Sequence, residues 1–258
     1  MEFSSFHTST PNSVIATAIH DGHELRPEIA AVMALDDETR LREEDPHTSE
    51  VAARFGVHGL AHRSRFEVDL NRPRERAVYL DPDDAWGLNI WKTPLNDRQI
   101  AESLDLYDDF YAQLGAILDQ LVAEFGGFVL YDIHSYNHRR SGPDSPPQPE
   151  EDNPTINLGT GSLPERWKPV AEEFIATMRG SNVGGVALDV RENVRFEGGH
   201  LSHWVHQNYG STSCALAIEM KKVFVDEWTG EVDAGRLDQL SHAIAASVEP
   251  VRRMHLRS

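Results

Sequence analysis

Residues 128–136 read "FVLYDIHSY". Three apolar residues, Phe128, Val129 and Leu130, run directly into Asp132, His134 and Tyr136, and the chain stays polar through "NHRR" (137–140). A short apolar run that ends in polar residues describes a strand buried at its start and open at its end. In α/β sheets the chemistry gathers at the carboxyl ends of strands, so this acid and this imidazole stand where a site would be built. Asp132 lies two residues before His134, on the same side of a strand, and its carboxylate can orient the ring from behind.

The segments on either side repeat the theme. "SVIATAI" (13–19) reads as a second strand, and it ends in "HDGHELRPE", which brings His20 to a strand end in the same way. One histidine in such a place is accounted for by a hydrogen bond in the interior. Two of them, each ending a different strand, weaken that account. "SRFEVDLNRP" (64–73) alternates and stops at a proline, which predicts a strand running into a loop, with Arg65, Asp69, Asn71 and Arg72 on it. "PTINLGTGS" (154–162), "GVALDV" (185–190) and "CALAIEMKKVFV" (214–225) follow, the last an apolar strand that carries Glu219. Burying a carboxylate without compensation costs on the order of several kcal/mol, so Glu219 needs either a partner, with Lys221 as candidate, or a task.

Helices separate these strands. Ile100, Leu104, Tyr107, Leu114, Ile117, Leu118, Leu121 and Phe125 follow three-four spacing across 97–125, and Gly126-Gly127 ends the pattern. Residues 25–55 suggest helices broken at Asp45-Pro46, and further helices are predicted through 169–180 and over 233–252. Strands alternating with helices imply an α/β domain whose central sheet is covered on both faces. A chain of 258 residues suits a single domain, with a core from about 13 to 252.

Composition excludes several classes. With 42 acidic and 24 basic residues the formal charge is −18, which repels phosphate backbones and anionic membranes alike, so neither nucleic acid nor a membrane is an expected partner. No apolar run reaches the length of a membrane span, and "MEFSSFHTSTPNS" lacks the regions of a signal peptide, which makes the cytoplasm the expected location. The lone Cys214 excludes an internal disulfide and a multi-cysteine metal site. Histidine, at thirteen residues, is abundant. Two histidines and one carboxylate from separate loops form the usual hydrolytic zinc set, with a fourth position left for water.

In their order along the chain these motifs resemble those of zinc carboxypeptidases and aspartoacylase, and more closely those of N-formylglutamate amidohydrolases. "IHDGHELRPEI" resembles the first histidine motif of that family, "SRFEVDLNRP" its arginine and Asn-Arg motif, and "DIHSYNHRR" its Asp-x-His-Ser motif. "PTINLGT", "VRFEGGHLSHW" and "ALAIEM" also have counterparts, so the resemblance spans roughly residues 13–230. It implies a carboxypeptidase-like fold with a mixed central sheet and one divalent metal, zinc. The activity it implies is hydrolysis of an N-formyl or N-acyl amino acid of the N-formylglutamate kind.

The resemblance assigns His20 and His134 to the metal and leaves the third ligand open among Glu24, Glu50 and Asp45, in that order of preference. It makes Glu219 the general base and Arg65 the oxyanion donor. Asn71, Arg72, Arg195 and Tyr136 are expected at the substrate, a small amide bearing a carboxylate, and His200 and His203 along the pocket. Two other readings fit the same residues: a peptidase or amidase acting on a different small carboxylate-bearing substrate, and a non-catalytic protein that binds an amino-acid-like ligand.

Overall fold

The computed structural model describes residues 2–9 and 12–258. The chain begins with strands β1 (Ser4–Thr8) and β2 (Val14–Ala18), followed by three short helices, α1 (Pro27–Ala30), α2 (Asp37–Glu43) and α3 (Thr48–Ala52). Strand β3 (Val57–Ala61), the long helix α4 (Asp97–Phe125) and strands β4 (Val129–Tyr136) and β5 (Ile156–Gly159) come next. Helix α5 (Lys168–Arg179) leads to β6 (Asn182–Val183), β7 (Val186–Ala187) and β8 (Val190–Glu192). The chain closes with α6 (His200–Tyr209), β9 (Cys214–Lys221), α7 (Ala234–Ala246) and α8 (Val248–His255).

Seven strands form one sheet in the order β1-β3-β2-β4-β9-β5-β8, and β6 pairs with β7 apart from it. Strands β3, β2, β4 and β9 are parallel, β1 and β5 are antiparallel to β3 and β9, and β8 is parallel to β5. The sheet is therefore mixed. The period-two rule then divides the core. Val14, Ala16, Val129, Tyr131, Leu216 and Ile218 pack on one face with residues of α3, α5, α7 and α8. Ile15, Ile19, Leu130 and Ala215 pack on the other with α4 and α6.

Helix α4 follows its sequence pattern from end to end. Asn96 and Gln99 cap its start reciprocally, each bond 3.0 Å long, and Gly126 ends it at φ 80°. Gly127 is required for a different reason: a Cβ there would meet the carbonyl oxygen of Thr212 at 2.1 Å.

Three expectations are corrected, the first being the strand read over 185–190, which is divided between β7 of the small hairpin and the start of β8 in the main sheet. The strand predicted over 64–73 does not form; this stretch is a series of turns. Its alternation of residue type is not an alternation of exposure, because Glu67 and Asp69 are as buried as Phe66 and Val68. Glu67 accepts from the Arg26 backbone N–H and Nε, both at 2.8 Å, and such non-local bonds replace a ladder. The terminal helix predicted over 233–252 is two helices, α7 and α8. Pro250 lies in the first turn of α8, where it can sit; continued helix would set its ring against the carbonyl of Ala246.

The sheet brings the carboxyl ends of β2, β4 and β9 side by side, with Thr17 opposite Asp132 and His134 opposite Glu219. The two cores hold this edge in place. Replacing Phe110, fully buried on α4, by Ala is expected to cost about 3–5 kcal/mol of unfolding free energy. Urea denaturation should show a lower midpoint with an unchanged slope.

Candidate active site

His20 follows β2 by two residues and His134 lies near the end of β4, and their rings face each other with centroids 4.9 Å apart. Each has a carboxylate behind it. His20 Nε2 donates to Asp69 Oδ1 at 2.7 Å, and His134 Nε2 lies 3.1 Å from Asp132 Oδ2. These partners leave Nδ1 of both rings turned toward one point. Asp45 Oδ2 sits there, 3.4 Å from His20 Nδ1 and 3.0 Å from His134 Nδ1. His20 Nδ1 is buried and, among the described residues, has no hydrogen-bond partner.

The three donor atoms lie within 4.8 Å of one another. Donors held about 2.0–2.2 Å from one tetrahedral ion stand roughly 3.3–3.5 Å apart, so the observed separations fit a single divalent cation. The charges fit as well. Burial disfavours a protonated His134, yet the carboxylates of Asp132, Asp45 and Glu219 outweigh burial and hold its pKa well above the ordinary imidazole value. Acid in excess around two imidazoles is an environment that asks for a cation.

Of the candidate third ligands, only Asp45 reaches the imidazoles. Glu24 is exposed, and its backbone bridges to Arg63 on the rim of a different cavity. Glu50, 60% exposed in the first turn of α3, takes a 2.7 Å contact from His47. Asp45 precedes the turn that starts α3, and its own N–H donates to the His20 carbonyl at 2.9 Å, which ties this loop to the end of β2. His23 turns away to Glu44 at 2.6 Å.

Glu219 points into the same space. Among the described residues its carboxylate makes no hydrogen bond or ion pair, while Lys221 is engaged with Glu150 at 2.7 Å and the Asn153 carbonyl at 2.9 Å. Burial pushes the Glu219 pKa up to about 7; the imidazoles of His134 and His20 pull it down, and the carboxylates of Asp45 and Asp132 add to the rise. A carboxylate with a pKa near neutrality and no partner suits proton transfer.

These groups line a cavity of about 470 Å³. Its walls carry Arg65, Arg72, Arg140 and Arg195 beside the acids Glu43, Asp45, Glu197 and Glu219. Arg65 Nη2 donates to Asp69 Oδ2 at 2.8 Å, its guanidinium lies over the Trp86 ring at 5.1 Å, and its Nε is buried without a partner. Arg195 lies over the Tyr136 ring at 5.2 Å and donates to Asn153 Oδ1 at 2.9 Å, and its Nε also has no partner. Arg72 donates to the Asp84 carbonyl at 3.0 Å.

Asn71 is partly committed elsewhere. Its Oδ1 accepts from the Leu201 N–H at 3.0 Å and so caps α6, and its Nδ2 lies 3.4 Å from His134 Nε2. The Tyr136 hydroxyl donates to the Pro154 carbonyl, so only its ring is available. His200 packs against the rings of Tyr107 and Tyr111, His203 bonds the Gly199 carbonyl, and neither lines the cavity.

Sequence reasoning named Asp69 without giving it a task. It accepts from His20, Arg65, Tyr79 and the Asn71 N–H together. Burial opposes its ionised form, but Arg65 and His20 hold its pKa well below the usual carboxylate range. Its position two residues before Asn71-Arg72 was the available signal.

Comparison with known proteins gives the family and the fold. The family model described as N-formylglutamate amidohydrolase matches residues 12–225. An N-formylglutamate deformylase of Pseudomonas aeruginosa is 26% identical over 198 residues, covering 71% of each chain. The crystal structure of an N-formylglutamate amidohydrolase from Ralstonia eutropha superposes with a TM-score of 0.78 at 14% identity, over 100% of this chain and 99% of the other. A gene product of Agrobacterium tumefaciens gives 0.66 at 15% identity, over 100% and 96%. These two likenesses concern the fold.

Because Asp69 joins His20 to Arg65, Asp69→Asn should have two effects. Leaving buried Arg65 without its counter-charge is expected to lower stability by about 3–5 kcal/mol, measured by urea denaturation. Loss of the carboxylate behind His20 should weaken divalent-cation binding by about 10–100-fold, measured by titration against a chromogenic chelator.

Proposed function

The chain belongs to the N-formylglutamate amidohydrolase family and is a hydrolase of amide C–N bonds; on that footing we propose that its substrate is N-formylglutamate, cleaved to formate and glutamate. The observation that carries this reading is the meeting of His20 Nδ1, His134 Nδ1 and an Asp45 oxygen beside an unpartnered Glu219, in a cavity walled by arginines. The donor set of two imidazoles and one carboxylate favours zinc with an open position. His20, Asp45 and His134 would hold the ion, which when bound supplies Lewis acidity toward the scissile carbonyl and acidifies a water.

The remaining work falls to this chain's own residues. Glu219 accepts the proton of the attacking water and passes it to the leaving nitrogen as the C–N bond breaks. Arg65, on the cavity wall, donates to the carbonyl oxygen as negative charge develops there. Arg72 and Arg195 bind the carboxylates of the glutamate portion, a pairing suited to guanidinium geometry. The Tyr136 ring supports Arg195 from below, and the Asn71 amide adds a donor.

Two measurements test the reading. Zinc-loaded protein should release formate from N-formyl-L-glutamate and act more slowly on N-formyl amino acids with neutral side chains. No release, or a preference for a neutral side chain, contradicts it. Glu219→Gln should keep its metal by elemental analysis and lose about 10²–10⁴-fold in kcat; normal turnover would remove Glu219 from its role.

A further inference from the structure

Asp45 stands on a loop, yet it must meet two imidazoles carried by strands. The peptide unit just before its Cα shows how it is held. The N–H of this Glu44–Asp45 peptide donates to the His20 carbonyl at 2.9 Å, and its carbonyl accepts from Lys222 Nζ at 2.7 Å. The same ammonium donates to the Arg42 carbonyl at 2.7 Å, which also accepts from Asn137 Nδ2 at 2.8 Å. Lys222 is 3% exposed and follows β9 directly; its own N–H donates to the Tyr136 carbonyl at the end of β4. The peptide is thus stretched between the ends of β2 and β9, one bearing His20 and the other Glu219.

A lysine is a costly group to bury; its hydrogen-bond acceptors here are two neutral carbonyls, and the carboxylates of Asp45, Glu43 and Glu227 supply the counter-charge nearby. The ammonium is also a wall of the active-site cavity, together with Asp45. We propose that Lys222 is a positioning residue for the metal centre: its two bonds to the 42–44 carbonyls fix the Asp45 carboxylate opposite the histidines. This rests on the metal reading of His20, Asp45 and His134. The hydrogen bonds of Lys222 Nζ go to main-chain carbonyls and to none of the three candidate ligand side chains, so it acts through the loop that carries Asp45.

The experiment is zinc affinity, read by competition with a chelator, in wild type, Lys222→Met, Asp45→Ala and the double variant. Lys222→Met is expected to bind zinc about 10–100-fold more weakly than wild type, with unchanged far-ultraviolet circular dichroism. Lys222→Arg, which can reach the same carbonyls, should recover part of the affinity. In the Asp45→Ala background Lys222→Met should add less than twofold, since the group it positions is gone. Should Lys222→Met fail to fold, Lys222→Gln, which keeps a donor without the charge, carries the comparison. Affinity within twofold of wild type in the single variant, or an equal loss with and without Asp45, overturns the proposal. Failure of wild type itself to bind zinc would overturn the metal reading, and the proposal with it.

Discussion

The orientation of two imidazoles decides what this site can do. Asp69 takes Nε2 of His20, Asp132 faces Nε2 of His134, and the opposite nitrogen of each ring is left for something between them. Burial makes this arrangement demanding, because ionised groups removed from water must find compensation close at hand. Here it comes from Arg65 on one side and from whatever occupies the space bounded by Asp45 and the two Nδ1 atoms. Sheet order supplies the distance: β2, β4 and β9 are adjacent and parallel, so their polar ends share one edge.

Much of this was legible in the sequence, and the parts that were not share a cause. Strands β2, β4 and β9 could be read because each is a continuous apolar run ending in chemistry-bearing residues. Helix α4 could be read from its spacing and its glycine stop. Residues 64–73 misled because their alternation comes from carboxylates that are buried and paired with arginines, Arg63 and Arg65 close by and Arg26 far along the chain. Strands β1 and β3 offer too few patterned residues to stand out from their surroundings. His20, His134, Asp132 and Glu219 were visible from their places at strand ends.

Asp45 ranked behind Glu24 and Glu50 for a related reason. Proximity in sequence to His20 favours Glu24, and a helical position favours Glu50. The loop that carries Asp45 is tied by its own N–H to the His20 carbonyl and by the Lys222 ammonium to the Glu44 carbonyl, bonds that no local pattern announces. The same holds for Asn71, whose oxygen caps a helix 130 residues further on. A net charge of −18 says nothing of the cavity, whose lining includes four arginines. A cavity that gathers arginines and a repulsive outer surface coexist because charges separated by more than about 8–10 Å of salt solution are largely screened from each other.

The central claim is that one divalent ion binds between His20, His134 and Asp45 through the Nδ1 atoms of both rings. Anomalous diffraction at the zinc edge, from crystals of protein purified without chelator, tests it most directly. The account predicts one strong peak about 2.0–2.2 Å from both Nδ1 atoms and from an Asp45 oxygen, with Asp69 and Asp132 on the far nitrogens. A peak ligated through Nε2, a peak centred on Glu24 or Glu50, or no peak in this cavity would contradict it.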